Sequence, residues 1–280
     1  MAGRSGSYMI FSDPEVVKAK AERLIGLVWD GPGELALDQG DWKGLLGPSL
    51  LLKAAGTLSS MMLLIPGRGT VDALALLRML YENVVILSWI AIDPDTRKGM
   101  WVASSAYWEI EEHKDWQRAG RGLHTEDELR DFEEQAGTGK ADGLPNVPKM
   151  ASEADEYWGS RVPGWSPTSG AEDPGLFASL RGLYRYIYQR GSAAVHSRAR
   201  GLEPFATITD DVVKLHPEEP TTDYHVYNLG MQALAFGIAV AEQSWGWPSW
   251  RDAMKVLERE DAVFGSSEED KTAPASGAEA

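Results

Sequence analysis

Apolar residues recur along most of this chain at intervals of three and four, the period of a helix, and almost nowhere at the alternating period of a strand. The spacing predicts helices near residues 13–30, 43–65, 70–92, 94–119, 125–136, 150–159, 174–198, 222–245 and 248–263. Several starts carry the same punctuation. An acidic or hydroxyl cap followed by Pro opens "SDPEVV" at Ser12, "DPDTRKG" at Asp93 and "EDPGLF" at Asp173. The cap side chain accepts a free amide of the first turn, and Pro fills a position whose N–H has no helical partner. In "HTEDEL", Thr125 and Glu128 form a capping-box pattern. "FATITDDVVKL" is the only short strand candidate.

These elements define an all-α, multi-helix bundle. Residues 137–173 are rich in Gly, Pro, Ser and acid, which reads as one long surface connection around a short helix. Helical patterns continue on both sides of it, so residues 1–264 are expected to form a single helical domain. The remainder, 265–280, "SSEEDKTAPASGAEA" with its preceding Gly, has nothing to bury and reads as a disordered acidic tail.

Composition narrows the chemistry. A net charge of -15 argues against general affinity for phosphate backbones, which draws on clustered Lys and Arg. The absence of Cys removes disulfides, thiolate nucleophiles and Cys-type zinc sites, and fits a cytoplasmic protein. The N-terminus lacks the continuous apolar stretch of a signal peptide, and the longest greasy run, "NVVILSWIAI", is too short to span a bilayer. A soluble protein without a membrane partner is expected.

Three segments could carry chemistry. "TVDALALLRMLYENVVILSWIAIDP" is apolar nearly all round, as a central helix is, with Asp72 and Asn83 marking its expected outer stripe. Arg78 and Glu82, four apart and away from that stripe, are expected as a paired, largely buried couple, and such pairs are more often architectural than catalytic. In "YWEIEEHKDW", Glu109 with His113 or Glu112 suggests a carboxylate–His metal site together with Glu82, His196 and Glu242. The Glu-x-x-His spacing of di-iron bundles is absent, and the same residues read as a plain solvated face.

The third segment is "YRYIYQRGSAAVHSRARGLEPF". Wound as a helix, Arg185, Tyr188, Ser192 and His196 fall along one stripe, and Arg181 extends it toward the N-terminus. Such a stripe is either solvent-facing or a polar seam inside the bundle. The small run "GSAA" admits a closely packed helix or leaves room beside His196. Gly191 costs a helix about 1 kcal/mol relative to Ala, so a packing or access reason is expected for it. The plain structural reading makes His196 a hydrogen-bonded seam residue near a helix end.

Two of these segments together resemble an uncharacterised bacterial family of helical domains of unknown function, over roughly residues 45–245. Its members carry an Arg-x-x-x-Glu helix, here Arg78 with Glu82, and a Tyr-x-x-x-Ser-x-x-x-His helix, here Tyr188, Ser192 and His196. The resemblance names no activity. "RGSAAVH", with Arg190 and His196, is also similar to the Arg-x(4–6)-His motif of HEPN-superfamily ribonucleases. Those are small helical proteins of toxin–antitoxin and phage-defence systems, usually dimeric and independent of metal. That resemblance implies that His196 moves the 2′-hydroxyl or leaving-group proton while Arg190 stabilises charge on the phosphate. Two features depart from the pattern: Gly191 stands where active members commonly have a polar residue, and the motif lies near a helix end rather than its start. On a regular helix Arg185 is the better geometric partner of His196.

No P-loop, GxGxxG, HExxH or GxSxG motif occurs. Three readings follow. The first is a HEPN-like, cofactor-free ribonuclease or defence effector acting on RNA, with His196, Arg190 or Arg185, and Ser192 as catalytic candidates. Arg78, Glu82, Tyr188 and Arg181 are its binding candidates, and a homo-oligomer or a protein partner is expected. The second is a non-catalytic helical interaction protein, which the acidic charge favours. The third is a carboxylate/His metalloenzyme.

Overall fold

The first helix, α1 (Pro14–Trp29), starts as its cap predicts: the Asp13 carboxylate accepts the Glu15 and Val16 amides, and Pro14 occupies the first turn. The same device opens α4 (Pro94–Arg118), where Asp93 accepts the Thr96 amide. Thr125 and Glu128 close a complete capping box on α5 (Glu126–Ala136). The hydrogen bonds from Thr125 hold the Glu128 carboxyl below its usual range. The remaining helices are α2 (Trp42–Met62), α3 (Thr70–Ile90), α6 (Val147–Trp158), α7 (Leu180–Val195), α8 (Tyr224–Trp245) and α9 (Trp250–Leu257). This computed structural model describes residues 13–30, 42–65, 70–137, 143–163, 165, 179–195, 206–209, 212–215, 224–246 and 248–257. The Asp173 cap, His196 and the tail lie outside them.

The fold is an all-α, multi-helix bundle. The one strand candidate is realised as a small antiparallel hairpin, β1 (Ala206–Thr209) with β2 (Val212–Leu215), in the register Ala206↔Leu215 and Thr209↔Val212.

Two helices make the centre. Every residue of α8 from Val226 to Ala241 is buried, and α3 is buried continuously from Asn83 to Ile90. They pack on one another, with α2 and α7 touching both, α1 and α9 against α8, and α6 against α3. Glycines let α8 settle this deeply. A Cβ at Gly237 would stand 3.1 Å from Leu51 Cδ1 and 3.3 Å from Val84 Cγ2, so only the bare backbone fits at ordinary contact distances. At the periphery, Lys20 of α1 is buried and its Nζ donates to the Val256 carbonyl at 2.6 Å, placing a cation on the last turn of α9.

Among the described residues, α3 alone is long and apolar enough to cross a membrane, and 67% of its apolar window is buried. That is compatible with a soluble protein. Asn83, expected on the outer stripe of α3, is buried, and Met79 is exposed instead. The helix is so apolar that two polar residues are too few to locate its outer face.

The stretch expected as a surface connection contains an architectural element. Met150, Ala151, Ala154 and Trp158 of α6 enter the core, and Trp165 lies edge-on to Phe236 with ring centres 4.5 Å apart. The polar side of α6 is equally committed. Buried Asp155 accepts the Leu180 and Arg181 amides, each at 2.8 Å, and the Trp165 indole N–H at 2.7 Å. A carboxylate from one helix therefore caps the start of another. Burial is the largest influence on Asp155 and raises its pKa against the opposing pull of those bonds. Trp158 donates its indole N–H to the Ser88 carbonyl at 2.9 Å. Trp89 donates to Glu153 at 2.8 Å, and Arg97 binds the same carboxylate oxygen at 3.1 Å while lying over the Trp89 ring.

Candidate functional site: the seam between α3 and α7

The two motifs singled out in the sequence meet in space. Arg78 on α3 donates from Nε to Glu82 Oε1 at 2.9 Å and from Nη2 to the Tyr188 hydroxyl on α7 at 3.3 Å. Its guanidinium also lies over the Tyr188 ring, 4.5 Å from the ring centre. The pairing of Arg78 with Glu82 is as expected, but the burial is less complete. The two side chains are 18% and 29% exposed, because the seam is open along one edge.

Aromatic rings continue the seam inward. Tyr188 stacks on Tyr184 with centres 4.8 Å apart, and Tyr184 lies 6.4 Å from Tyr81. The Tyr81 hydroxyl donates to the Leu180 carbonyl at 2.7 Å. Burial raises the Tyr81 pKa well above its ordinary value, with the Asp155, Tyr184 and Glu82 charges adding to it. Burial likewise raises Tyr184, where Tyr188 and Glu82 add and Arg78 opposes. Both phenols therefore stay protonated near neutrality and act as hydrogen-bonding groups rather than as bases.

Gly191 explains how close the two helices come. A Cβ there would lie 2.7 Å from Arg78 Cβ and 2.8 Å from the Leu74 carbonyl oxygen, so its absence lets α7 rest on α3 beside the guanidinium. Ser192, one turn beyond Tyr188, is half-buried. Tyr184 did not stand out in the sequence as a site residue, although its four-residue spacing from Tyr188 was the available signal.

Other candidates fall elsewhere. Arg190 is exposed and lies on the opposite flank of α7, its guanidinium 4.2 Å from the Tyr186 ring centre and its Nη1 bonded to the Tyr186 hydroxyl at 2.5 Å. The Tyr186 ring meets His225 of α8 edge-on at 4.9 Å. Arg190 is thus not grouped with Tyr188 and Arg78. Arg181 is exposed at the start of α7. The side chain of Arg185 and the whole of His196, which follows Val195 in sequence, lie outside the described residues.

The residues of the metal reading are occupied otherwise. His113 Nδ1 accepts the His124 backbone N–H at 3.0 Å and is thereby engaged, while its Nε2 is buried with no hydrogen-bond partner among the described residues. His124 Nε2 pairs with Glu109 Oε2 at 3.1 Å, and the two imidazoles stack 5.8 Å apart. Glu82 serves Arg78, and Glu242 accepts the Trp250 amide at the start of α9. Among the described residues no group of three or more His, Asp or Glu is placed to hold a metal ion.

The fold and seam define a helical protein in which an Arg-x-x-x-Glu helix receives a Tyr-x-x-x-Ser helix. The chain belongs to the DUF5677 family, a family of unknown function, which matches residues 46–212 and so spans both arms of the seam. No curated protein and no solved structure matches the chain.

Proposed function

We propose that this chain is a cytoplasmic, metal-independent, HEPN-like ribonuclease or defence effector working at the end of α7, with His196 moving the proton and Arg78 meeting the phosphate. The supporting observation is the state of Arg78. Glu82 and Tyr188 engage Nε and Nη2, whereas Nη1 has no partner among the described residues, and the group is only partly buried. A guanidinium fixed on two sides presents its remaining N–H bonds to an arriving anion at little reorganisation cost. Arg190, the first sequence candidate for this role, is stacked away on Tyr186, so Arg78 replaces it in the proposal. Arg185 remains the second cation. Ser192, a turn beyond Tyr188 on α7, would bind the substrate.

The test is cleavage of a single-stranded RNA by wild type, His196→Ala and Arg78→Ala at matched purity, each checked by thermal melt. Both variants are expected to lose cleavage while remaining folded, and wild-type activity is expected to titrate near the ordinary His value of about 6.5. Equal cleavage by wild type and His196→Ala ends the ribonuclease reading. A second reading, a non-catalytic binding protein, draws on the net charge of -15 and on Glu82 already neutralising Arg78. It predicts no cleavage by any variant and no phosphate-induced rise in the melting temperature of wild type or of Arg78→Ala.

A further inference from the structure

We propose that the exposed face of α4 is a docking surface for an arginine-bearing segment of a basic partner protein, received on the row Trp108–Glu112–Trp116. The three recur every four residues and so align along one side of the helix. Trp108 is 63% exposed and Trp116 39%, each carrying a large indole in solvent. Indoles are enriched at interaction surfaces, where an apolar ring is covered while its N–H keeps a partner.

The protein supplies its own template for the occupant. At the edge of the core, where Arg97 and Glu153 are 20% and 30% exposed, the Trp89 N–H donates to Glu153, and Arg97 lies over the indole, 4.7 Å from the ring centre, while binding that same carboxylate at 3.1 Å. On α4, the Trp116 N–H donates to Glu112 Oε1 at 3.4 Å. The indole–carboxylate pair is repeated, and among the described residues no arginine covers it. Arg118, the nearest in sequence, pairs with Asp115 instead. A guanidinium suits this indole–carboxylate pair better than an ammonium, because it stacks flat on an indole while its planar fork engages the carboxylate.

Charge selects the class of partner. Beside the row, Asp115 and Glu111 are paired with Arg118 and Lys114 and Glu109 with His124, and the adjoining α5 adds six carboxylates between Glu126 and Glu134 against Arg130 alone. RNA is repelled by such a field. A second copy of the chain, itself at -15, would set its own acidic row against this one. A cationic polypeptide is attracted to it.

The experiment uses the full chain and a fluorescein-labelled nona-arginine peptide, followed by anisotropy. Wild type is expected to bind it more tightly than nona-lysine. The double variant Trp108→Ala/Trp116→Ala, whose net charge is unchanged, is expected to bind nona-arginine about tenfold more weakly with an unaltered melt. Trp108→Phe/Trp116→Phe keeps the rings and is expected to keep most of the affinity. Equal binding by wild type and the alanine variant would show bulk charge attraction only and overturn the proposal, as would a phenylalanine variant as weak as the alanine one. Sedimentation showing a wild-type dimer that the alanine pair dissociates would hand the row to a second copy and also overturn it.

Discussion

Gly191 stands against Arg78 so closely that a Cβ on the glycine would lie 2.7 Å from the arginine Cβ. In an exposed helix, Gly→Ala gains about 1 kcal/mol from propensity. Here the methyl also meets the Leu74 carbonyl, a backbone atom that cannot swing aside. Gly191→Ala is therefore expected to destabilise by about 1–3 kcal/mol net, the usual cost of overpacking, read as a lowered melting temperature. A stabilised variant would show that α7 shifts on α3 without penalty.

Removing Glu82 tests the pair itself. Fully buried partners cost about 3–5 kcal/mol when one is deleted, and exposed ones about 0–1 kcal/mol. With 18% and 29% exposure, and with Tyr188 still holding Arg78, Glu82→Ala is expected between those limits, at about 1–2 kcal/mol by denaturant unfolding. A double-mutant cycle with Arg78→Ala should recover part of that loss.

Asp155 carries more. Asp155→Ala leaves the Leu180 and Arg181 amides and the Trp165 indole without their acceptor, an expected loss of about 3 kcal/mol or more. The pH dependence has an unusual sign. Burial raises the folded-state pKa, so the folded state holds this proton more tightly than the unfolded chain does. Its contribution is complete below the unfolded carboxyl value of about 3.9 and is lost as pH rises through the elevated folded value. The stability of wild type relative to Asp155→Asn should accordingly fall with rising pH across that window. A rising difference would mean that the three hydrogen bonds outweigh desolvation.

Lys20→Met keeps the buried aliphatic stem and deletes the donor to Val256. An expected loss of about 1 kcal/mol should be local, appearing as faster amide exchange in α9 with α3 unaffected.

The helical architecture was legible because its signals are local. Asp13, Asp93 and Thr125 cap the helices that they precede, and Arg78 finds Glu82 one turn away on its own helix. The meeting of Arg78 with Tyr188 joins helices 110 residues apart and no local pattern announces it, although the packing reason expected for Gly191 is the contact with α3. The contacts without a local signal act across the chain. Asp155 caps a helix that begins 25 residues later, and no pattern around either residue announces it. The HEPN resemblance pairs Arg190 with His196 by motif spacing, whereas its side chain follows the nearest aromatic, Tyr186.

The burial of α8 has a consequence for how this protein comes into being. A ribosome delivers residues from the N-terminus, so α1 through α7 emerge before the helix that fills the space among them. Until Tyr224–Trp245 follows, the faces of α2 and α3 that close on Gly230 and Gly237 have only water or one another to meet. The nascent chain thus passes through a stage in which most of its helices exist in sequence but lack their axle, the stage at which chaperones bind and aggregation begins. The family segment, residues 46–212, ends before that axle and should not survive alone as a soluble fragment.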